Sequence, residues 1–235
     1  MQAIILAGGK GTRLKPYTTV FPKPLMPIGD YPILEVVIKQ LKHYEFNEIT
    51  MAVGHLRELI QAFFNNGQKW GVNISYSVED KPLGTAGPLN LIENLDDNFL
   101  MMNGDILTNM NYQAFFRQHL DSEAICSIAT YKKSVKIDLG ILETNKLNEL
   151  TSYIEKPTLD YSVSMGIYAF KKNILDFIPD DSYLDLPELV KKLLEKRERV
   201  MSYQFDGLWL DIGRPDDYEA AIQQFDDHRM EFIRE

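Results

Sequence analysis

The sequence predicts an α/β fold built on a mixed, mainly parallel central sheet. Three observations carry that expectation. Ile4-Ile5-Leu6-Ala7 is an apolar, strand-like run that breaks at once into the glycine-rich stretch Gly8-Gly9-Lys10-Gly11-Thr12-Arg13. Strand-like and helix-like segments then alternate through the first half, an order that packs helices on both faces of a parallel sheet. From about Ala124 the segments become mostly β-like with short connections, which suits antiparallel pairing.

Taken in order, Ile33, Val37, Leu41 and Tyr44 recur at intervals of four, four and three and predict an amphipathic helix over about 32–44. Residues 49–53 read as a strand and 56–64 as a second helix. The alternation over 72–78 gives a strand, 85–93 returns to helix, and 99–102 is a short apolar strand ending at Asn103-Gly104-Asp105. In the second half 125–131, 140–143, 147–155 and 163–170 are β-like. Helices are expected at 172–177 and 186–196, the second capped by Asp185 with Pro187 in its first turn. A strand at 200–205 and the run 208–212 lead to a last helix from about Pro215. With no internal repeat or long linker, residues 1–235 read as one continuous domain. Its halves, about 1–123 and 124–235, are expected to take a nucleotide and a second substrate.

At 235 residues the chain can bury a sizeable core, and 45% hydrophobic with 25% charged residues is an ordinary globular balance. Its apolar runs are too short to span a bilayer and no charged segment precedes a long apolar one, so a cytoplasmic protein without membrane contact is expected. The formal net charge of -9 argues against a nucleic-acid partner. Cys126, the single cysteine, reads as a small core residue. His43, His55, His119 and His228 lack metal-ligand spacing and read as surface or helix-end residues.

Against that acidic background, residues 1–29 hold Lys10, Arg13, Lys15 and Lys23 and no Asp or Glu. Glycines let backbone N–H groups turn onto a ligand, and Lys and Arg beside them neutralise phosphate oxygens. The stretch therefore reads as a triphosphate cradle, with a plain tight βα connection as the alternative. It is neither of two familiar phosphate loops: Leu14 stands where G-x-G-x-x-G needs its third glycine, and G-x-x-x-x-G-K-[ST] is not met.

In open α/β sheets ligands sit beyond the carboxyl ends of the strands. Asp105, just past a strand, is expected to open onto the same crevice as the loop. Asp211 lies in the apolar run Leu208-Trp-Leu-Asp-Ile212, where an unpaired carboxylate is costly. The two could hold one Mg²⁺, which prefers oxygen ligands and phosphate; a turn or helix cap is the alternative for a lone Asp105.

Gly8-Gly9-Lys10-Gly11-Thr12-Arg13-Leu14 followed by Pro22-Lys23-Pro24 resembles the signature of the sugar-1-phosphate nucleotidyltransferases. Asn103-Gly104-Asp105, Glu155-Lys156-Pro157 and Trp209-Leu-Asp-Ile-Gly213 resemble the family's first metal motif, sugar motif and second metal segment. The likeness runs from residue 2 to about 222. It implies a Rossmann-like, three-layer nucleotide-diphospho-sugar transferase fold and the reaction NTP + sugar 1-phosphate → NDP-sugar + pyrophosphate. Arg13, Lys23, Asp105 and Asp211 would be catalytic, the two Asp holding Mg²⁺. Leu6, Ala7, Gly8, Gly9, Lys10, Gly11, Thr12, Arg13, Lys23, Glu79, Pro82, Gly84, Thr85 and Asp105 would bind nucleotide. Gly104, Gly140, Glu155, Lys156, Ser164 and Gly166 would bind the sugar phosphate. A homo-oligomer is compatible with the resemblance, as is a non-catalytic nucleotide-sugar sensor, although the loop Arg and both metal Asp such sensors tend to lose are present.

Glu79 stands at the base-reading position of relatives. Guanine offers N1–H and N2–H₂ side by side, and one ionised carboxylate can accept from both. This favours GTP, with CTP open through the cytosine N4–H₂ donor and UTP or dTTP as further alternatives. The chain is most similar to short bacterial guanylyltransferases that act on mannose 1-phosphate or make GDP-heptose or GDP-activated glucosamine. Two segments that border the sugar differ from the common pattern. Ser164-Met165-Gly166 replaces Asn-Ala-Gly, and Leu139-Gly140 replaces Tyr-Gly. The left-handed β-helix of longer relatives is not expected after the final helix.

Overall fold

Seven strands form the central sheet of the computed structural model, which describes residues 1–233. They are β1 (Gln2–Leu6), β2 (Glu48–Val53), β3 (Asn73–Val78), β4 (Asn98–Asn103), β5 (Cys126–Lys136), β6 (Thr158–Lys171) and β7 (Val200–Phe205). Their spatial order is β3-β2-β1-β4-β6-β5-β7. β1 is parallel to β2 and β4, β3 to β2, and β7 to β5; β6 is antiparallel to both β4 and β5. Only β6 opposes the common direction in this sheet, so it is mixed and mainly parallel, as expected.

The helices are α1 (Ile33–His43), α2 (Arg57–Phe64), α3 (Tyr112–Ser122), α4 (Leu186–Glu195), α5 (Pro215–Asp227) and the one-turn α6 (Arg229–Phe232). Alternation along the strands sends side chains to opposite faces. Ala3, Ile5, Leu100 and Met102 meet α1, α3, α5 and α6 through Ile33, Val37, Phe115, Phe225 and Phe232. Ile4, Phe99 and Met101 meet α4 and its neighbours through Leu186, Leu189 and Leu193. Each fully buried Val, Leu, Ile, Phe or Met among them contributes about 1.5–3 kcal/mol, so the two apolar layers hold the sheet from both sides. Three small antiparallel ribbons stand apart among the described residues: 27–28 with 31–32, 106–108 with 209–211, and 141–144 with 150–154. No helix among the described residues is long and apolar enough to cross a membrane.

Five expectations need correction. Residues 85–93 are not an α-helix: only Gly87–Leu91 turns, as 3₁₀. Pro88 has no N–H to give, and Ala86 and Gly87 both donate theirs to Leu184 O, at 2.8 and 3.2 Å. Residues 172–177 are likewise 3₁₀. Asp185 does not cap α4 with its side chain. Its Oδ1 accepts instead from Thr85 N and Oγ1, both at 3.1 Å, and Thr85 Oγ1 accepts from Leu186 N at 2.8 Å. His119 lies in the last turn of α3, so its place at a helix end agrees with the sequence, but it is fully buried rather than on the surface, its Nδ1 2.8 Å from Ser127 Oγ. Finally, α3 itself lies where no helix was expected. Asn111 Oδ1 caps it by accepting from Ala114 N at 2.9 Å, and Tyr112, Phe115, Phe116 and His119 form its buried stripe.

Candidate active site

The crevice lies at the carboxyl ends of β1, β2, β3 and β4, where the glycine loop leaves β1. The loop is drawn in by backbone bonds: Ala7 N donates to Ala52 O at 2.8 Å, His55 N to Gly8 O at 3.2 Å, and Gly104 N to Leu6 O at 2.9 Å. Gly8 is needed for this close approach, since a Cβ there would stand 2.8 Å from Glu79 Oε1 and 3.2 Å from Gly54 N. Gly11 has φ +59°, in the left-handed region that favours glycine, and its carbonyl accepts from Thr18 Oγ1 at 2.7 Å. Residues 12–14 form a 3₁₀ turn that buries Leu14 and leaves Arg13 exposed.

A second 3₁₀ turn, Lys23–Leu25, carries Lys23 into the crevice, where the side chain is nearly buried and Nζ donates to Asp105 Oδ2. Asp105 follows β4 and opens the ribbon strand Ile106–Thr108; Asp211 ends the partner strand Trp209–Asp211, opposite Ile106. Sequence placed Asp211 in an apolar run, but its neighbours Leu210 and Ile212 are buried while Asp211 as a whole residue is exposed, its carboxyl only partly withdrawn from solvent. Strand alternation explains the difference. Partial burial, then the charge of Asp105, raises the Asp211 pKa, while Lys23 and Arg13 pull it down. Those four groups therefore share one electrostatic neighbourhood. The guanidinium of Arg13 lies by Gly213, where a Cβ would stand 3.4 Å from its Nη1 and 3.5 Å from Asp217 Oδ2. Among the described residues, no ion pair engages Lys10 or Arg13.

Asp105 Oδ1 is buried and, among the described residues, has no hydrogen-bond partner. A carboxylate pair with one such oxygen unmet fits a hard divalent cation such as Mg²⁺. No cluster of three or more His, Cys, Asp or Glu suited to a metal exists among the described residues. A cation here would draw its remaining ligands from substrate oxygens and water.

Glu79 caps the far side of the loop, beyond β3. Its Oε2 accepts from Leu83 N at 3.1 Å, and burial raises its pKa while that bond lowers it. The segment Pro82–Gly87 is pressed on residues 182–185: Gly84 has φ +80°, and a Cβ there would lie 2.5 Å from Leu184 O. On the opposite side β6 breaks register between Ser164 and Tyr168, with Gly166 at φ +74°. A Cβ on Gly166 would lie 2.7 Å from Asn103 Nδ2, which puts Ser164 and Gly166 beside the Asn103-Gly104-Asp105 turn.

A profile of the nucleotidyl transferase family matches residues 2–228. The chain belongs to this family. It is 34% identical to a UTP–glucose-1-phosphate uridylyltransferase of Synechocystis over 95% of its own length and 63% of that relative's. It is 30% identical to a mannose-1-phosphate guanyltransferase of Yarrowia lipolytica over 93% of its length and 62% of the relative's. The chain thus spans less than two thirds of either relative. The crystal structure of HddC from Yersinia pseudotuberculosis complexed with GMP-PN shares the fold, with a TM-score of 0.73 and 24% identity over 95% of this chain and 99% of that one.

Arg13, Lys23, Asp105 and Asp211 come together in the crevice, and Gly8 meets Glu79. Glu155, Lys156 and Gly140 lie beside the exposed ribbon 141–154, and among the described residues no side-chain hydrogen bond or ion pair joins them to that group. There Tyr153 joins two of them. Its hydroxyl donates to Glu155 Oε2 at 2.6 Å, and a Cβ on Gly140 would stand 2.7 Å from the Tyr153 hydroxyl oxygen. Sequence reasoning missed Tyr153 because only the pairing of the two ribbon strands, which sets Tyr153 opposite Leu142, brings its ring against Gly140. Asp217, in the first turn of α5, was also missed; its signal is its place four residues after Gly213.

Proposed function

We propose that the protein transfers a nucleotidyl group from an NTP to a sugar 1-phosphate, releasing pyrophosphate. The observation that carries this reading is the meeting of Lys23 with Asp105, beside Asp211 and Arg13, at the mouth of the glycine loop. The attacking group is an oxygen of the sugar phosphate, already ionised near neutral pH, so no general base is required. As its bond to the α-phosphorus forms, the α–β bridging bond breaks and pyrophosphate leaves with the electron pair. Catalysis then rests on alignment and on neutralising charge. Gly8–Arg13 supply backbone N–H groups and two cations to the triphosphate. Lys23 leaves Asp105 to bind the phosphates, which exposes Asp105. Asp105 and Asp211 would hold a Mg²⁺ ion, whose positive charge would offset that of the phosphates. Lys156 would orient the sugar phosphate, Glu155 accept from sugar hydroxyls, and Gly104, Gly140, Ser164 and Gly166 border the sugar.

GTP is the favoured donor. Glu79 has Oε1 turned to the loop and Oε2 partly used by Leu83 N–H, and the guanyltransferase relatives support the same base. A uridine donor is the second reading, supported by the uridylyltransferase relative. For the sugar, mannose 1-phosphate comes first and heptose, glucosamine or glucose 1-phosphate follow. Pyrophosphate release over a matrix of nucleoside triphosphates and sugar 1-phosphates tests both choices. GTP is expected to be the preferred donor, and Glu79→Gln to lower the GTP/UTP ratio of kcat/KM at least tenfold. An unchanged ratio removes Glu79 as the base reader. Nucleotide-sugar binding without pyrophosphate release would make the protein a sensor.

A further inference from the structure

The ribbon that bears both carboxylates is only three residues long on each strand, too short to hold its register unaided. A slip of one residue would turn side chains to the opposite face. Asp105 and Asp211 sit at one end of it; Thr108, paired with Trp209, sits at the other. That far end is closed by buried polar groups. Thr108 Oγ1 donates to Leu208 O at 2.7 Å and accepts from Met110 N at 3.2 Å. The Thr108 carbonyl accepts from Gln40 Nε2 at 2.7 Å, and the same amide nitrogen donates to Phe232 O at 2.9 Å. Gln40 Oε1 accepts from Tyr112 OH at 3.2 Å. Gln40, Thr108 and Tyr112 are all buried, at 4, 1 and 0% exposure. Gln40 thereby ties the ribbon to α1, α3 and α6 at once.

We infer that Thr108 and Gln40 are positioning residues that set the separation of Asp105 and Asp211 and hence the cation affinity of the pair. Neither touches substrate. A fully satisfied buried network fixes one geometry, whereas a hydrophobic contact at Thr108 would permit several. The inference rests on the reading of the two carboxylates as cation ligands. Its structural content is that cation binding depends on groups at the closed end of the ribbon as well as on the carboxylates themselves.

Mn²⁺ binding to the nucleotide-free protein, followed by water-proton relaxation, tests it without turnover. Thr108→Val keeps the shape and removes the hydroxyl; it is expected to weaken Mn²⁺ binding at least fivefold, while Thr108→Ser restores wild-type binding. Gln40→Met carries the same expectation should Thr108→Val not fold. In parallel, the Mg²⁺ concentration for half-maximal rate should rise while the NTP KM at saturating Mg²⁺ stays unchanged. Asp211→Asn is the control. If it weakens Mn²⁺ binding and folded Thr108→Val does not, the positioning role is overturned. If Asp211→Asn binds like wild type, the carboxylate reading falls and the inference with it.

Discussion

Lys23 and Asp105 hold each other in the nucleotide-free chain, and both belong to the proposed reaction. A nearly buried ammonium is costly without a partner, so Asp105 keeps Lys23 in place until phosphate oxygens compete for it. Lys23→Met should therefore have two opposite effects. Pyrophosphate release should fall by about 10²–10³-fold, the usual loss for one electrostatic contact to a transition state. Mn²⁺ affinity of the nucleotide-free protein should rise, because the competitor for Asp105 Oδ2 is gone. Weaker Mn²⁺ binding in the variant would contradict the competition. The side chains of this site were legible as types and order: Arg13, Lys23, Asp105 and Asp211 each stand in a recognisable local pattern. What one chain of letters does not carry is pairing in space. The ion pair of Lys23 with a residue 82 positions away and the contact of Glu79 with Gly8 both depend on which strands lie side by side.

At the scale of elements, the start of α4 is held by a residue 101 positions earlier, since Leu186 N donates to Thr85 Oγ1. Losing an N-terminal capping hydroxyl typically costs about 1 kcal/mol. Thr85→Val should lower the urea midpoint accordingly and loosen the Pro82–Gly87 segment; an unchanged midpoint would show that the cap is not needed. Local pattern pointed instead to Asp185, which has the usual N-cap identity but spends its Oδ1 on Thr85. Strongly periodic elements such as α1 and alternating ones such as β3 were legible because burial follows their spacing. α3 was not, because its inward stripe includes a histidine that reads as polar until Ser127 is found beside it.

For the whole molecule, the buried polar groups include one histidine, His119, whose ring lies between α3 and the sheet. Burial, then the charge of Lys171, lowers its pKa from 6.5 to about 4. A folded pKa below the unfolded one means that the folded state favours the neutral ring. The stability this group supports is complete above pH 6.5 and is lost as pH falls toward 4, about 2 kcal/mol of it between pH 7 and 5. Urea unfolding of the wild type should show that loss, and His119→Gln should show a flatter profile over the same interval. Parallel profiles would mean that His119 is not held neutral.

The central claim is that one crevice joins an NTP to a sugar 1-phosphate. Its most direct measurement is the stoichiometry of products with GTP, mannose 1-phosphate and Mg²⁺. One pyrophosphate is expected for each GDP-sugar formed, with both lost in Asp105→Ala. Pyrophosphate release at the wild-type rate in Asp105→Ala, or GTP breakdown without a nucleotide-sugar, would contradict it.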